Sequence, residues 1–330
     1  MLAFLVSMLW TLFAYVAGVM GIISLGTYLL VAAWETIITF FPNNLKLKYN
    51  AEWALVTGAS SGIGKAITQR LAEMKLNVVM VALDDKMFAD TFSEMQATYP
   101  QVKFVKIGTN LGASAATYMP AIKDATKDLP IQLVFNNAGF IVPGLFAETD
   151  IEKLQANYEC NATAAMNITH HFLRAMVATK RRGLFAFTSS AGQYFPGPTA
   201  ALYASTKSFM TSFAISIAGE VKDCGIDVVV AHPSPVQSRF YEGTASILSS
   251  LRSAQKAGVA PVVIADGIIK CAGRLLVWDQ GSLCAIFRLV LKTFDYAFFM
   301  EVTSRLAAVF NPDHKELAAK SKLRNPSRTQ

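Results

Sequence analysis

Residues 56–66 read VTGASSGIGKA. The stretch continues an apolar segment that begins at Trp53 and opens into a run that suits a helix, the context in which a glycine pattern becomes a phosphate-binding turn. Gly58 permits the tight turn, Gly62 lets the backbone approach a pyrophosphate, and Gly64 allows the following helix to pack closely. The N-terminus of that helix then offers free N–H groups and the positive end of its dipole to an anion. Glycine-rich turns are common, so the reading depends on what surrounds this one.

Outward from it, short apolar segments alternate with longer helical patterns. WALVTG, NVVMVAL, VKFVKI, IQLVFNN, LFAFTSS and IDVVVAHP read as strands. Near-continuous apolar strands separated by helices indicate a parallel sheet covered on both faces, so the predicted fold class is α/β, a doubly wound parallel sheet. From about Phe240 to Gln280 the pattern is less regular and shows no obvious strand. LCAIFRLVLKTFDYAFFMEV follows, read as one helix on which Arg288, Lys292 and Asp295 form a narrow polar stripe. Such a helix suits either a packed core or dimer contact, or the surface of a membrane.

The chain has 330 residues, 53% of them hydrophobic and 16% charged, more apolar than a typical soluble domain. Met1 to Trp34 contains no charged side chain, whereas about 20 apolar residues cross a bilayer as a helix. A cleaved signal peptide would show a basic start and a shorter apolar core, so a retained transmembrane anchor is expected. Its surplus length, with Gly18, Gly21 and Gly26 inside it, suits one tilted span, a span plus an interfacial helix, or a hairpin. Lys46 and Lys48 follow it, which for a single crossing puts the remaining chain in the cytosol.

Cys160, Cys224, Cys271 and Cys284 form no metal-ligand or CxxC pattern and read as reduced thiols. The sequon Asn161-Ala162-Thr163 would be at risk of glycosylation in a lumenal protein. The net charge of +7 comes without a basic helix or aromatic-basic interleaving, so no nucleic acid partner is expected. Lys315, Lys320, Lys322, Arg324 and Arg328 fall in a polar tail, either solvated or drawn to anionic headgroups. His170 and His171 are adjacent and cannot share a helix face as ligands, and no HExxH is present, so no catalytic metal is expected.

Thr57 to Gly64 resembles the TGxxxGxG motif of the short-chain dehydrogenase/reductase family, and the resemblance continues with NNAG at Asn136–Gly139. HPSPVQS resembles the family's PGxVxT segment, with Ser234 in place of the glycine and Ser238 in place of the threonine. Ser190 lies 13 positions before Tyr203, and Lys207 four after it, the family's Ser–Tyr–Lys spacing. The resemblance implies a Rossmann fold, a nicotinamide cofactor, and Tyr203 as general acid to a carbonyl oxygen. A phenol has an ordinary pKa near 10, so Lys207 is expected to favour the phenolate and also to hold the nicotinamide ribose. Ser190 would hydrogen-bond the carbonyl oxygen. Asn161 matches the helix asparagine that steadies a water behind Lys207, with Asn157 as the alternative.

The same resemblance assigns cofactor contacts to Gly58, Ser60, Ser61, Gly62, Ile63, Gly64, Leu83, Asn110, Asn136, Ala138, Gly139, Tyr203, Lys207, Pro233, Val236 and Ser238. NAD enzymes of this type place an acid at the end of the second strand and NADP enzymes an arginine nearby. Here Leu83 stands at the arginine position and Asp84 one residue late for the acid. NADPH is expected because similar reductases use it, with Lys65 and Lys86 as phosphate partners and NADH as the other possibility.

The expected organisation is a transmembrane anchor (1–41), a linker (42–50), a Rossmann-fold catalytic domain (51–282), an apolar helical segment packed on the domain or membrane (283–311) and a basic tail (312–330). The anchor followed by AEWALVTGASSGIGKA is similar to membrane-bound very-long-chain 3-oxoacyl-CoA reductases and related 17β-hydroxysteroid dehydrogenases. That implies a lipidic ketone substrate, an acyl-CoA or a steroid or retinoid, at the endoplasmic reticulum membrane. It also implies a homodimer and contacts with other fatty-acid elongation enzymes. Residues 240–280 are expected to form the substrate lid, with Arg239, Arg252 and Lys256 near CoA phosphates. A nucleotide-binding scaffold without catalysis is the reading from another class.

Overall fold

The computed structural model describes residues 1–195, 197–242 and 248–321, which divide into two compact units at Pro42/Asn43. The first unit is a single helix, α1 (Leu2–Thr39), of 38 residues. At 1.5 Å per residue it is about 57 Å long, well beyond the roughly 30 Å hydrocarbon core. Its three glycines do not break it, which excludes the hairpin. By length and composition Ala3–Thr39 qualifies as a candidate membrane span.

The second unit begins with what reads as a linker but folds as α2 (Leu45–Tyr49), capped by Asn44 and burying Leu45 and Tyr49. Its polar residues serve the sheet's other elements: Tyr49 Oη donates to Asp227, and Gln132 Nε2 donates to the Tyr49 carbonyl. Lys46 Nζ donates to the Lys75 carbonyl and Lys48 Nζ to that of Ala272.

The chain then alternates: β1 (Trp53–Thr57), α3 (Gly62–Glu73), β2 (Asn77–Ala82), α4 (Lys86–Thr98), β3 (Phe104–Gly108), α5 (Ala115–Thr126) and β4 (Ile131–Asn136). After it come α6 (Ile151–Tyr158), a π-helical turn (Glu159–Thr163), α7 (Ala164–Ala178), β5 (Gly183–Thr188), α8 (Ala201–Val221) and β6 (Ile226–His232). All six anticipated strands are present. They pair in parallel in the order β3-β2-β1-β4-β5-β6, with β1 and β4 buried along their whole length. Leu55, Val79, Val81, Phe185, Phe187 and Val230 meet Tyr118, Ile168, Phe172 and Met210 on one face. The order reverses beside β1, so the crevice at the ends of β1 and β4 is where a doubly wound sheet takes its ligand.

Beyond β6 the sequence expectations need correction. The irregular stretch contains α9 (Ser249–Ala257), α10 (Pro261–Cys271) and a seventh strand, β7 (Val277–Asp279), parallel to β6. α10 packs on α3 and β6, so it covers the sheet and is not lid; residues 243–247 of the anticipated lid lie outside the described residues. The single helix with a polar stripe is α11 (Gly281–Thr293) and α12 (Tyr296–Arg305). Asp295 lies between them as N-cap, accepting from Phe298 N. α13 (Ala307–Phe310) and α14 (Pro312–Lys320) follow. The first part of the predicted tail is therefore folded, and Asp313 on it is buried; Lys322, Arg324 and Arg328 lie outside the described residues.

Candidate active site

The ends of β1 and β4 are stitched by the residues that the two glycine motifs share. Thr57 Oγ1 accepts from the backbone N–H of Asn137 and Ala138, and Asn137 Nδ2 donates to the Thr57 carbonyl at 3.1 Å. Gly58 (φ +66°) and Gly62 (φ +55°) are in the left-handed region, and a Cβ on Gly64 would overlap the Gly58 carbonyl oxygen. Ser61, the N-cap of α3, makes no side-chain cap bond, leaving the leading N–H groups of that helix to an incoming anion.

Ser60, Ser61, Gly62 and Ile63 line one end of a cavity of about 500 Å³. Ala138, Gly139, Leu83, Asn110, Pro233, Val236 and Ser238 line it too. Gly64 lies beneath the turn. Asn136 is buried under the floor, its Nδ2 donating to Thr169 Oγ1, and the neighbouring Asn137 faces the cavity in its place. These residues fit a dinucleotide: a glycine turn, an uncapped helix N-terminus and a cleft at the switch point.

The adenosine end departs from the sequence expectation. Lys65 and Lys86 are paired with Glu94 and Asp90, each at 2.7 Å, and neither lines the cavity. Asp84 turns to Lys106 at 2.7 Å, and Asp85 is spent capping α4 through Phe88 N. Leu83 lines the cavity and is 56% exposed, so the usual position of the ribose-binding acid is apolar. Arg239 approaches from the opposite loop, Nη1 3.0 Å from Met87 Sδ.

Ser190, Tyr203 and Lys207 come together on the far wall. Ser190 follows β5 and accepts from Gly192 N at 3.0 Å. Burial pushes the Tyr203 phenol well above its ordinary value, and the Ser190 hydroxyl works against it, lowering the pKa. Lys207 is buried, its Nζ donating to the Thr188 carbonyl at 2.8 Å and standing 5.7 Å from the Tyr203 ring centroid. Burial lowers its pKa to about 8. At the phenol itself burial is the dominant influence, and it favours the protonated form.

Asn161 sits in the π-helical turn, a feature that often marks functional segments. Its Oδ1 accepts from Phe140 N at 3.0 Å and its Nδ2 donates to the Phe140 carbonyl at 2.9 Å. Asn157 donates to the same carbonyl at 2.6 Å. A Cβ on Gly139 would stand 3.1 Å from Asn161 Oδ1 and 3.4 Å from Lys207 Nζ, so the glycine keeps the asparagine and the ammonium on either side of one small gap.

Sequence reasoning missed the apolar mouth. Phe140, Ile141, Phe240, Tyr241, Leu251 and Leu283 line the cavity, and the Phe240 ring lies 5.6 Å from that of Tyr203. The aromatic pair directly after HPSPVQSR was the available signal.

Over 185 residues the chain is 32% identical to the very-long-chain 3-oxoacyl-CoA reductase of Scheffersomyces stipitis, covering 54% of this chain and 53% of that protein. The match thus spans about half of that relative's length. Among solved structures, it is similar to a 7β-hydroxysteroid dehydrogenase with a TM-score of 0.66 and 24% identity, over 76% of this chain and 94% of the other. A short-chain dehydrogenase from Sphingobium yanoikuyae in complex with NADPH gives a TM-score of 0.62 and 23% identity, over 69% and 87%. At these identities the likeness to the solved structures shows the fold. Residues 52–246 match the short chain dehydrogenase family, and with the seven-stranded parallel sheet around that match, the chain belongs to it.

Proposed function

We infer that the protein is a membrane-anchored, NADPH-dependent reductase of a lipidic ketone, in first place a very-long-chain 3-oxoacyl-CoA reduced to the 3-hydroxyacyl-CoA. The observation that carries this reading is the meeting of Ser190, Tyr203 and Lys207 on one wall of a cleft whose other wall is the glycine turn. Gly58–Ile63 and the α3 N-terminus would hold the phosphates, and Lys207 and Asn137 the nicotinamide half. Bound nicotinamide supplies the hydride.

The chain supplies the rest. Ser190 donates to the substrate carbonyl oxygen and fixes its place. Tyr203, held protonated by burial, gives its proton to that oxygen as negative charge develops there, a step typically worth about 10²–10⁴-fold. Lys207, with a pKa of about 8, is mostly cationic at neutral pH and stabilises the tyrosinate left behind. Phe240, Tyr241, Leu251 and Leu283 exclude water and suit an alkyl chain. The long apolar α1 favours a substrate that partitions into the bilayer, with the catalytic unit on the cytosolic side of the endoplasmic reticulum membrane.

The test is NADPH oxidation by detergent-purified protein given a long-chain 3-oxoacyl-CoA, with NADH and a 17-ketosteroid in parallel. Rapid, NADPH-dependent loss with the acyl-CoA is expected; turnover of the ketosteroid alone moves the substrate to the steroid class. Tyr203→Phe should lower turnover by at least about 100-fold while nucleotide binding, read by nicotinamide fluorescence, is retained. Undiminished turnover refutes the role of Tyr203.

A further inference from the structure

A buried ionic cluster lies behind the reacting centre, and its members Asp279, His232, Tyr194 and Arg288 do not line the cavity. Asp279, at the end of β7, holds His232 Nδ1 at 2.6 Å, the two side chains being 3% and 1% exposed. The same carboxylate accepts from Tyr194 Oη at 2.9 and 3.0 Å and from Arg288 Nη1 of α11 at 2.8 Å. Burial alone would raise the Asp279 pKa, but these bonds and charges hold it below the ordinary carboxylate value. An ionised carboxylate only accepts, so Nδ1 of His232 carries a proton. On the other side of the ring, Nε2 meets Thr211 Oγ1 of α8 at 3.0 Å. Thr211 Oγ1 lies 2.9 Å from Ser189 Oγ, and Ser189 Oγ donates to the Lys207 carbonyl at 2.8 Å.

The cluster closes around Ser190 from both flanks. Ser189 N donates to the Ala231 carbonyl and Ala191 N to that of Pro233, so, continuing the β5–β6 register, Ser189 stands opposite His232 and Ser190 opposite Pro233. One flank of Ser190 is then tied through Ser189 and Thr211 to His232, and the other through Tyr194 to Asp279. His232 also begins the Pro233–Val236 loop along the cofactor cleft, and Arg288 fastens α11, whose Leu283 lines the cavity.

We propose that Asp279, with His232 and Tyr194, forms a positioning device that sets the place of the Ser190 hydroxyl. The proposal rests on the reading of Ser190 as the group that orients the ketone. A hydroxyl whose segment is pinned at both ends contributes fully to catalysis, whereas a displacement of about 1 Å can lose about 100-fold in rate. Of the tethers, Tyr194 lies in the short helical turn that Ser190 caps, so the effect of removing its hydroxyl should fall mainly on Ser190 and largely vanish where Ser190 has no hydroxyl.

The experiment is a double-mutant cycle in the full-length protein, following NADPH oxidation with a long-chain 3-oxoacyl-CoA. Tyr194→Phe removes one hydroxyl and should lower kcat about tenfold, with NADPH affinity by nicotinamide fluorescence within about threefold of wild type. In the Ser190→Ala background the same change should cost less than about twofold. Asp279→Asn should behave likewise with a larger first effect; if it fails to fold, Tyr194→Phe carries the test. An equal tenfold loss in both backgrounds marks a merely structural role and overturns the proposal, as does full kcat in Tyr194→Phe. If Ser190→Ala itself leaves kcat unchanged, it is the reading of the site that fails, and the proposal with it.

Discussion

Replacing Lys207 by methionine should make the domain more stable and leave it inactive. The lysine side chain is 3% exposed, and its pKa falls from 10.5 to about 8. That difference, 10.5 minus 8, or about 2.5 units, amounts to roughly 3 kcal/mol lost to folding at neutral pH. Methionine removes the charge but leaves the Thr188 carbonyl without the donor now at 2.8 Å, at a cost of about 1–2 kcal/mol. A net gain of about 1–2 kcal/mol remains, or roughly 2–8 °C in melting temperature for a domain of this size. The sign with pH follows from proton counting. Between pH 8 and 10.5 the unfolded lysine holds a proton that the folded one has lost, so wild-type stability rises through that window by about 1.4 kcal/mol per unit. The variant lacks this rise, and its advantage should be full below pH 8 and shrink toward pH 10.5. Melting of both proteins in detergent at pH 7, 8, 9 and 10 reads the effect. A variant less stable at pH 7, by a margin that does not change with pH, refutes the account of a desolvated ammonium held in place for catalysis.

Gly64→Ala would drive a Cβ into the Gly58 carbonyl and to 2.7 Å from Asn137 Nδ2. A loss of about 1–3 kcal/mol is expected, seen as a lower melting temperature together with weaker NADPH binding in a fluorescence titration. Leu83→Asp puts a carboxylate at the adenosine end and should raise the NADPH dissociation constant at least about tenfold relative to that for NADH; an unchanged ratio would mean that the 2′-phosphate lies elsewhere. Asp313 accepts from Ser249 N and Ser250 N at the start of α9, so Asp313→Asn should cost about 1 kcal/mol and raise KM more than it lowers kcat, because Leu251 of α9 lines the mouth. Burial would raise the Asp313 carboxyl, but its hydrogen bonds hold it below its ordinary value. Its contribution should persist above the usual aspartate range and disappear only as pH falls through the lowered value, which an acid titration of wild type against variant would reveal.

β1 to β6 were legible because strands buried on both faces read as continuous apolar runs, and the glycine turn, NNAG and the Ser–Tyr–Lys spacing are local patterns. What escaped depends on partners far along the chain. Asn43 and Lys48 look like linker, yet Asn43 donates to the carbonyls of Ile269 and Ala272, more than 220 residues away. Asn136 and Asn137 are indistinguishable in sequence; only Thr169 under the floor and Thr57 on the next strand decide which faces the cavity. Asp295 falls on a charged stripe in the sequence, and helical periodicity does not reveal that the helix stops at Thr293 and an aspartate caps the next one. Lys65 and Lys86 stand near the phosphate turn in sequence, but Glu94, which claims Lys65, lies on the neighbouring α4, and Asp90, which claims Lys86, one turn along its own helix.

β7 was the least legible strand, three residues long and ending in an aspartate, and it carries much of what is particular to this chain. The family's PGxVxT pattern has a glycine where this protein has Ser234, a change that bears on the loop's path. The structure resolves it through β7: Ser234 Oγ donates to the Gln280 carbonyl at 2.5 Å, and Gly281, at φ +85°, leaves room for the hydroxyl where a Cβ would come within 2.7 Å of it. The serine side chain on the loop and the bare glycine at the start of α11 thus fit one another. One residue before Gln280 stands Asp279, the anchor of the buried cluster. The loop, the Ser190 segment and α11 therefore converge on the edge strand, and a substitution there should reach the chemistry without touching the cavity.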